Sequence, residues 1–302
     1  MLTSLLSLYI ATVMETPVSG DFSSQAAEAS SSKVASLSFS QLSGSNEVPI
    51  KDSAFISPIL GAEASIAVDK NTGTVLHEEN AHSRLQIASI TKLMTILIVL
   101  EENGATGSTT VSNNAANTEG STMFLRAGED ISIENLLYGA IINSANDSAV
   151  ALAEHNAGDV NSFVEKMNTK ALSLGLINTH FSNPIGLDHP NNYSSAYDLV
   201  KLGKYVYEKP FVKKAAKIKD LSVTSIDGNL THKLESTNDL LDSYLNIKGL
   251  KTGHTNGAGL CFISIAENDE GNEIFTVVLD SPARFRETKI LTDWVFRAYN
   301  WQ

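Results

Sequence analysis

The sequence predicts an α+β fold: an antiparallel sheet built from both ends of the chain and flanked by helices, with a helical region inserted between. Two β-like runs, residues 64–68 and 74–77, flank the Asn/Gly-bearing turn Asp69-Lys70-Asn71-Thr72-Gly73 and predict a hairpin. Three further strand-like runs, 247–252, 260–266 and 274–279, come near the other end. Helix-period segments fill the interval.

The elements follow in order. Residues 1–14, MLTSLLSLYIATVM, are apolar and uncharged. They read as the apolar part of an export signal without its basic flank, and are short for a span of about 20 residues. Residues 1–20 are therefore expected to be a signal peptide or N-terminal anchor, which places the protein outside the cytoplasm in the cell envelope. Residues 21–60 are rich in Ser and Ala, bury little and predict a linker. Organised sequence, 61–302, opens with the hairpin. A helix is expected from Ser89 to about Glu102, stopped by Asn103-Gly104. Residues 105–131 are polar and looped, and 133–142 are helical. Asn143-Ser144-Ala145-Asn146 interrupts a helical pattern that resumes over 147–157. Residues 163–174 and 195–207 are helical around the irregular FSNPIGLDHPNN of 181–192, and 218–245 read as short strands and loops. An amphipathic helix over 284–299 closes the chain, and no internal repeat is visible.

Composition removes several function classes. The chain has 302 residues, 22 Lys+Arg against 34 Asp+Glu and a formal charge of −12. No basic cluster is available to neutralise phosphates, so nucleic acid is not an expected partner. Cys261 is the single cysteine, in an apolar run, and is expected to be a small buried hydrophobe. The seven histidines are scattered without His-Glu-x-x-His, and there is no P-loop, dinucleotide glycine fingerprint or Gly-x-Ser-x-Gly elbow. No metal and no cofactor is expected.

The chemistry centres on Ser89-Ile90-Thr91-Lys92. On a helix, Lys92 lies one turn from Ser89 on the same face. A serine hydroxyl is a poor nucleophile until a base takes its proton. Lys92 serves as that base only when neutral, which burial and a nearby cation such as Lys251 favour. The spacing alone decides little, since Ser30 and Lys33 in the Ser-rich linker repeat it. Ser144-Ala145-Asn146 faces a cleft or simply caps a helix. Lys251-Thr252-Gly253 ends a strand, either as a substrate-binding edge or as a plain turn.

Together and in this order, the three patterns resemble the penicillin-recognising serine enzymes. The stretches ASITKLMT, LLYGAIINSANDSAVALAE, FSNPIGLD and GLKTGHTNGAGLCF are similar to the D-alanyl-D-alanine carboxypeptidase branch, over roughly 61–302. The resemblance implies a β-lactamase/transpeptidase-like fold, with Ser89 as nucleophile and Lys92 as base. It implies that Ser144 relays protons, and that Asn146 holds the Lys92 amine and the substrate amide. Lys251 supplies charge, Thr252 binds the substrate's terminal carboxylate and Gly253 lets a peptide lie close. The backbone N–H groups of Ser89 and His254 form the oxyanion site. The implied partners are a peptidoglycan stem peptide ending in D-Ala-D-Ala and β-lactams as covalent inhibitors. Many family members carry an extra C-terminal β domain and membrane-lying helix. This chain runs about 50 residues past Lys251, so membrane association is expected through the N-terminus.

Three alternatives stay open. A β-lactamase needs a deacylating glutamate, and Glu165-Lys166-Met167-Asn168 echoes that element. However, Phe163, Val164 and Met167 look like a helix's core face, which makes Glu165 a solvated helix charge. A transpeptidase or endopeptidase shares the same acyl-enzyme. A non-catalytic penicillin- or peptidoglycan-binding protein would need none of the chemistry.

Overall fold

The computed structural model describes residues 48–302. The expected export signal or anchor, and the linker up to residue 47, lie outside them. Inside the expected linker, β1 (Pro49–Lys51) pairs antiparallel with β11 (Tyr299–Trp301). Structured sequence therefore begins before residue 61. The Trp301 indole N–H donates to Asp69 at 2.9 Å, which ties this small ribbon to the main sheet.

That sheet has five antiparallel strands in the order β3-β2-β10-β9-β8. They are β2 (Ala64–Asp69), β3 (Val75–Glu79), β8 (Ile247–Thr255), β9 (Gly259–Glu267) and β10 (Glu273–Ser281). The chain's two ends meet where β2 pairs with β10, as the placement of the strand-like runs predicts. All six residues of β2 are buried because the sheet is covered on both faces. One face packs on α8 (Arg284–Ala298) through Phe262, Val278, Leu291 and Val295. The other meets α6 (Ala196–Tyr207) and the larger core.

The hub of that core is α1 (Lys92–Glu102), in contact with α3 (Ile133–Ile141), α4 (Asn146–Ala157), α5 (Val160–Ser173) and α6. Leu93 to Val99 are buried without a break, and all but Thr95 are apolar. Each such side chain gains about 1.5–3 kcal/mol of transfer free energy, before entropy is counted. Ser132, Asp159 and Ser195 cap α3, α5 and α6 with side-chain oxygens.

Smaller elements depart from the sequence reading. The looped region holds β4 (Ser108–Thr110), α2 (Asn113–Ala116) and β5 (Asp130–Ser132). A short helix, α7 (Pro210–Ala215), precedes the ribbon β6 (Asp220–Thr224) and β7 (Thr231–Glu235). Pro210 sits in the first turn of α7, where its missing N–H would be unpaired anyway. Cys261 is fully buried, with its thiol pushed up to about 11 by burial. Among the described residues, no helix is long and apolar enough to cross a membrane.

Candidate active site

Ser89 does not stand on an α-helix as the spacing predicted. Residues Ala88–Thr91 form one 3₁₀ turn, and α1 begins at Lys92. The tighter turn eclipses positions three apart. It places the Lys92 Nζ 2.7 Å from the Ser89 Oγ. The turn opens at Ala88 with φ +47, a left-handed conformation that a non-glycine residue holds only where its surroundings enforce it.

Two elements press on this turn from outside. At Gly253 on β8, an added Cβ would lie 2.7 Å from the Ile87 carbonyl oxygen and 3.2 Å from the Ser89 nitrogen. At Gly186, φ +87, it would lie 1.9 Å from the Ala88 oxygen. Only glycine allows either approach. The Gly186 loop is shaped by Asn183, whose Oδ1 accepts the N–H groups of Ile185, Gly186 and Leu187. Thr95 of α1 locks it by donating to the Pro184 carbonyl at 2.7 Å.

This loop bonds the Lys92 amine, one of the two contacts that the resemblance implied for Asn146. Lys92 Nζ donates to the Ile185 carbonyl at 3.0 Å, and Asn146 is not its partner. The Asn146 Nδ2 donates instead to the Glu119 carbonyl at 2.6 Å. Nor do Ser144 and Asn146 cap a helix: α4 starts without a side-chain cap, from Ala145. Ser144 sits in the predicted break, buried, with φ +57.

Lys92 is fully buried, and no carboxylate is bonded to it. Burial pushes its pKa well down, and the Lys251 charge pushes the same way, while Asp147 opposes. The carboxylate of Asp147 accepts the N–H groups of Met123, Leu125 and Ser148. Lys251 is also buried, and burial together with Arg284 lowers its pKa to about 7. Burial without a carboxylate partner disfavours the charged form of both amines.

Three residues near β8 are given no role by the sequence patterns. Thr237 Oγ1 lies 2.6 Å from Thr252 Oγ1 and fixes that hydroxyl. Arg284 Nη1 donates to the Gly253 carbonyl at 2.8 Å. Asp188 accepts from Thr255 and from the Gly257 N–H, which ties the Asn183 loop to the β8–β9 turn. His254 follows Gly253 with an exposed side chain, opposite Leu260. The structure thus hydrogen-bonds Lys92 to Ser89 and packs Gly253 against the turn that carries Ser89, with Lys251 close enough to depress Lys92. Asn146 is adjacent in sequence to Asp147, whose charge Lys92 feels. Among the described residues, no group of three or more His, Cys, Asp or Glu is placed to hold a metal.

Glu165 is exposed on α5 and lines a surface cavity with Glu101, Glu102 and Lys166 at the far end of α1. Ten residues of helix separate Glu102 from Lys92, about 15 Å of rise. The solvated-charge reading of Glu165 therefore holds.

A serine whose hydroxyl meets only a buried lysine, under the edge of an antiparallel sheet, is the arrangement of the penicillin-recognising serine enzymes. The family described as D-alanyl-D-alanine carboxypeptidase matches residues 52–283. The chain belongs to that family. It is 34% identical over 246 residues to the D-alanyl-D-alanine carboxypeptidase DacF of Bacillus subtilis, covering 79% of this chain and 63% of that protein. It is 36% identical over 257 residues to DacC of Escherichia coli, covering 80% and 63%. The chain thus spans 63% of the length of these curated relatives. The Streptomyces K15 DD-transpeptidase superposes with a TM-score of 0.76 at 30% identity, covering 80% of this chain and 99% of that one. The β-lactamase/transpeptidase-like α+β fold expected from the sequence is the fold observed.

Proposed function

We propose that this chain is a serine D-Ala-D-Ala carboxypeptidase acting on peptidoglycan stem peptides outside the cytoplasm, and that β-lactams acylate it. The observation that carries the reading is the Lys92 amine: fully buried, bonded to Ser89 and a carbonyl, and free of any carboxylate.

The neutral amine takes the Ser89 proton as Oγ attacks the carbonyl carbon between the two D-alanines. Negative charge on the carbonyl oxygen is met by the backbone N–H groups of Ser89 and His254. The proton passes from Lys92 through Ser144 to the leaving amine, and the terminal D-alanine departs. Water then attacks the acyl-enzyme, with Lys92 again taking a proton, and Ser89 is released. The substrate adds alongside β8, the edge strand of the sheet. Its terminal carboxylate meets the Thr252 hydroxyl and the positive charge of Lys251 and Arg284. Asn146 offers its Oδ1 to a substrate N–H or to Lys92 when that amine is protonated.

Mass spectrometry of stem peptides incubated with purified protein tests this reading. Loss of one D-alanine, absent with Ser89→Ala, is the expected result. An unchanged peptide refutes the carboxypeptidase reading. Transfer to an added amine would make the enzyme a transpeptidase, and fast steady nitrocefin turnover would make it a β-lactamase.

A further inference from the structure

Asn146 is held from outside its own helix. Its Nδ2 donates to the Glu119 carbonyl and its backbone N–H to the Ser121 carbonyl, both at 2.6 Å. The first bond decides which way the amide faces. With Nδ2 committed to Glu119, Oδ1 is the atom left to accept from a substrate N–H or an ammonium. The Asn146 geometry is therefore set by the loop that runs from Glu119 to Glu129.

That loop is gripped at two places. From one side Asp147 accepts the Met123 and Leu125 N–H groups at 3.1 and 3.0 Å. From the other, His232 on β7 reaches in. Its Nδ1 lies 2.8 Å from the Met123 carbonyl, an acceptor only, so Nδ1 donates. Its Nε2 is hydrogen-bonded to Glu129 Oε1 at 2.6 Å. Glu129 Oε2 in turn accepts the Arg126 N–H at 3.0 Å. His232 and Glu129 are both buried. Between the gripped residues, Phe124 holds φ +63 while 82% exposed. An aromatic residue in the left-handed region is strained, and such strain persists where the flanks over-determine the backbone.

We propose that His232 is a positioning residue for the Ser89 chemistry. With Glu129 it clamps the 119–129 loop, and the loop keeps the Asn146 amide turned with Oδ1 free. The proposal rests on the reading of Asn146 as part of the reacting site.

A double-mutant cycle tests it, read as the rate at which a fluorescent penicillin acylates Ser89. Labelling reads acylation alone and needs no D-alanine to leave, so a failed D-alanine assay would sink the carboxypeptidase reading and leave the cycle interpretable. His232→Ala should slow acylation about 10-fold when Asn146 is present, and less than about twofold in the Asn146→Ala background. Equal losses in the two backgrounds would show a general structural effect and overturn the proposal. So would an unchanged rate in the single variant. If His232→Ala fails to fold, Glu129→Gln carries the same cycle with the same expected non-additivity, because it keeps the side-chain shape and weakens the clamp.

Discussion

Lys248 and Lys251 stand three residues apart on β8, and their pKa values move in opposite directions. Burial pulls both down. For Lys248 that pull is outweighed by hydrogen bonds to Glu267 and Glu273, and its pKa ends above the ordinary value. Lys251 has no carboxylate to answer its burial, and Arg284 adds to the push, so its pKa falls to about 7. The same contrast runs along α1. At its start, Lys92 is buried beside Ser89 and Lys251. At its end, Glu101 and Glu102 pair with Lys166, Lys170 and Lys209 near the surface. Residue type does not make a lysine a base. The removal of carboxylates and water around it does.

Substitutions can break this comparison. The largest effect belongs to Lys92: Lys92→Gln should slow Ser89 acylation by about 10³–10⁴, near the upper limit for one acid–base group. A loss under tenfold would give the base role to another residue. Next comes Lys251→Gln, expected to lower kcat/KM about 10²-fold, chiefly by raising KM for substrates with a free terminal carboxylate. An amidated terminus should blunt that penalty.

Stability provides a third test. Lys251 titrates near 7 in the fold and at about 10.5 when unfolded. Between those values the unfolded chain holds a proton that the folded one lacks. Stability should therefore rise with pH across that window and fall as pH drops through about 7. Urea unfolding of wild type and Lys251→Met across the window should show the variant's slope flattened. Lys248→Met should behave differently, changing acylation less than about threefold. Its loss of stability should be about 1–2 kcal/mol, since a partly buried ion pair is broken and two carboxylates lose their partner. Smallest of all, Lys166→Gln should cost about 0.5 kcal/mol or less, as an exposed pair.

The groups proposed to react were legible in the sequence because such chemistry requires particular side chains at particular spacings. Ser89, Lys92 and Lys251 belong to that kind. The long strands and α1 were legible too, since unbroken apolar runs have few other uses. What stayed hidden was made of backbone and distance. Ile185 contributes a carbonyl that any residue would have, 93 positions from Lys92. Gly186 signals a tight turn but not that the turn lies against Ala88. The bond that orients Asn146 was hidden too, because its partner, Glu119, acts through a main-chain oxygen. Thr237 and Arg284 come to the site through folding alone. The strands β1 and β11, three residues each, are too short to show a period.

The most direct measurement is the pH dependence of Ser89 acylation by a fluorescent penicillin, from about pH 5 to pH 10. A buried, carboxylate-free Lys92 predicts a rate that climbs out of the acid range and levels off well below 10.5, the ordinary lysine value. A rate still rising about tenfold per unit at pH 10 would mean that Lys92 titrates as a solvated lysine, and would contradict the account.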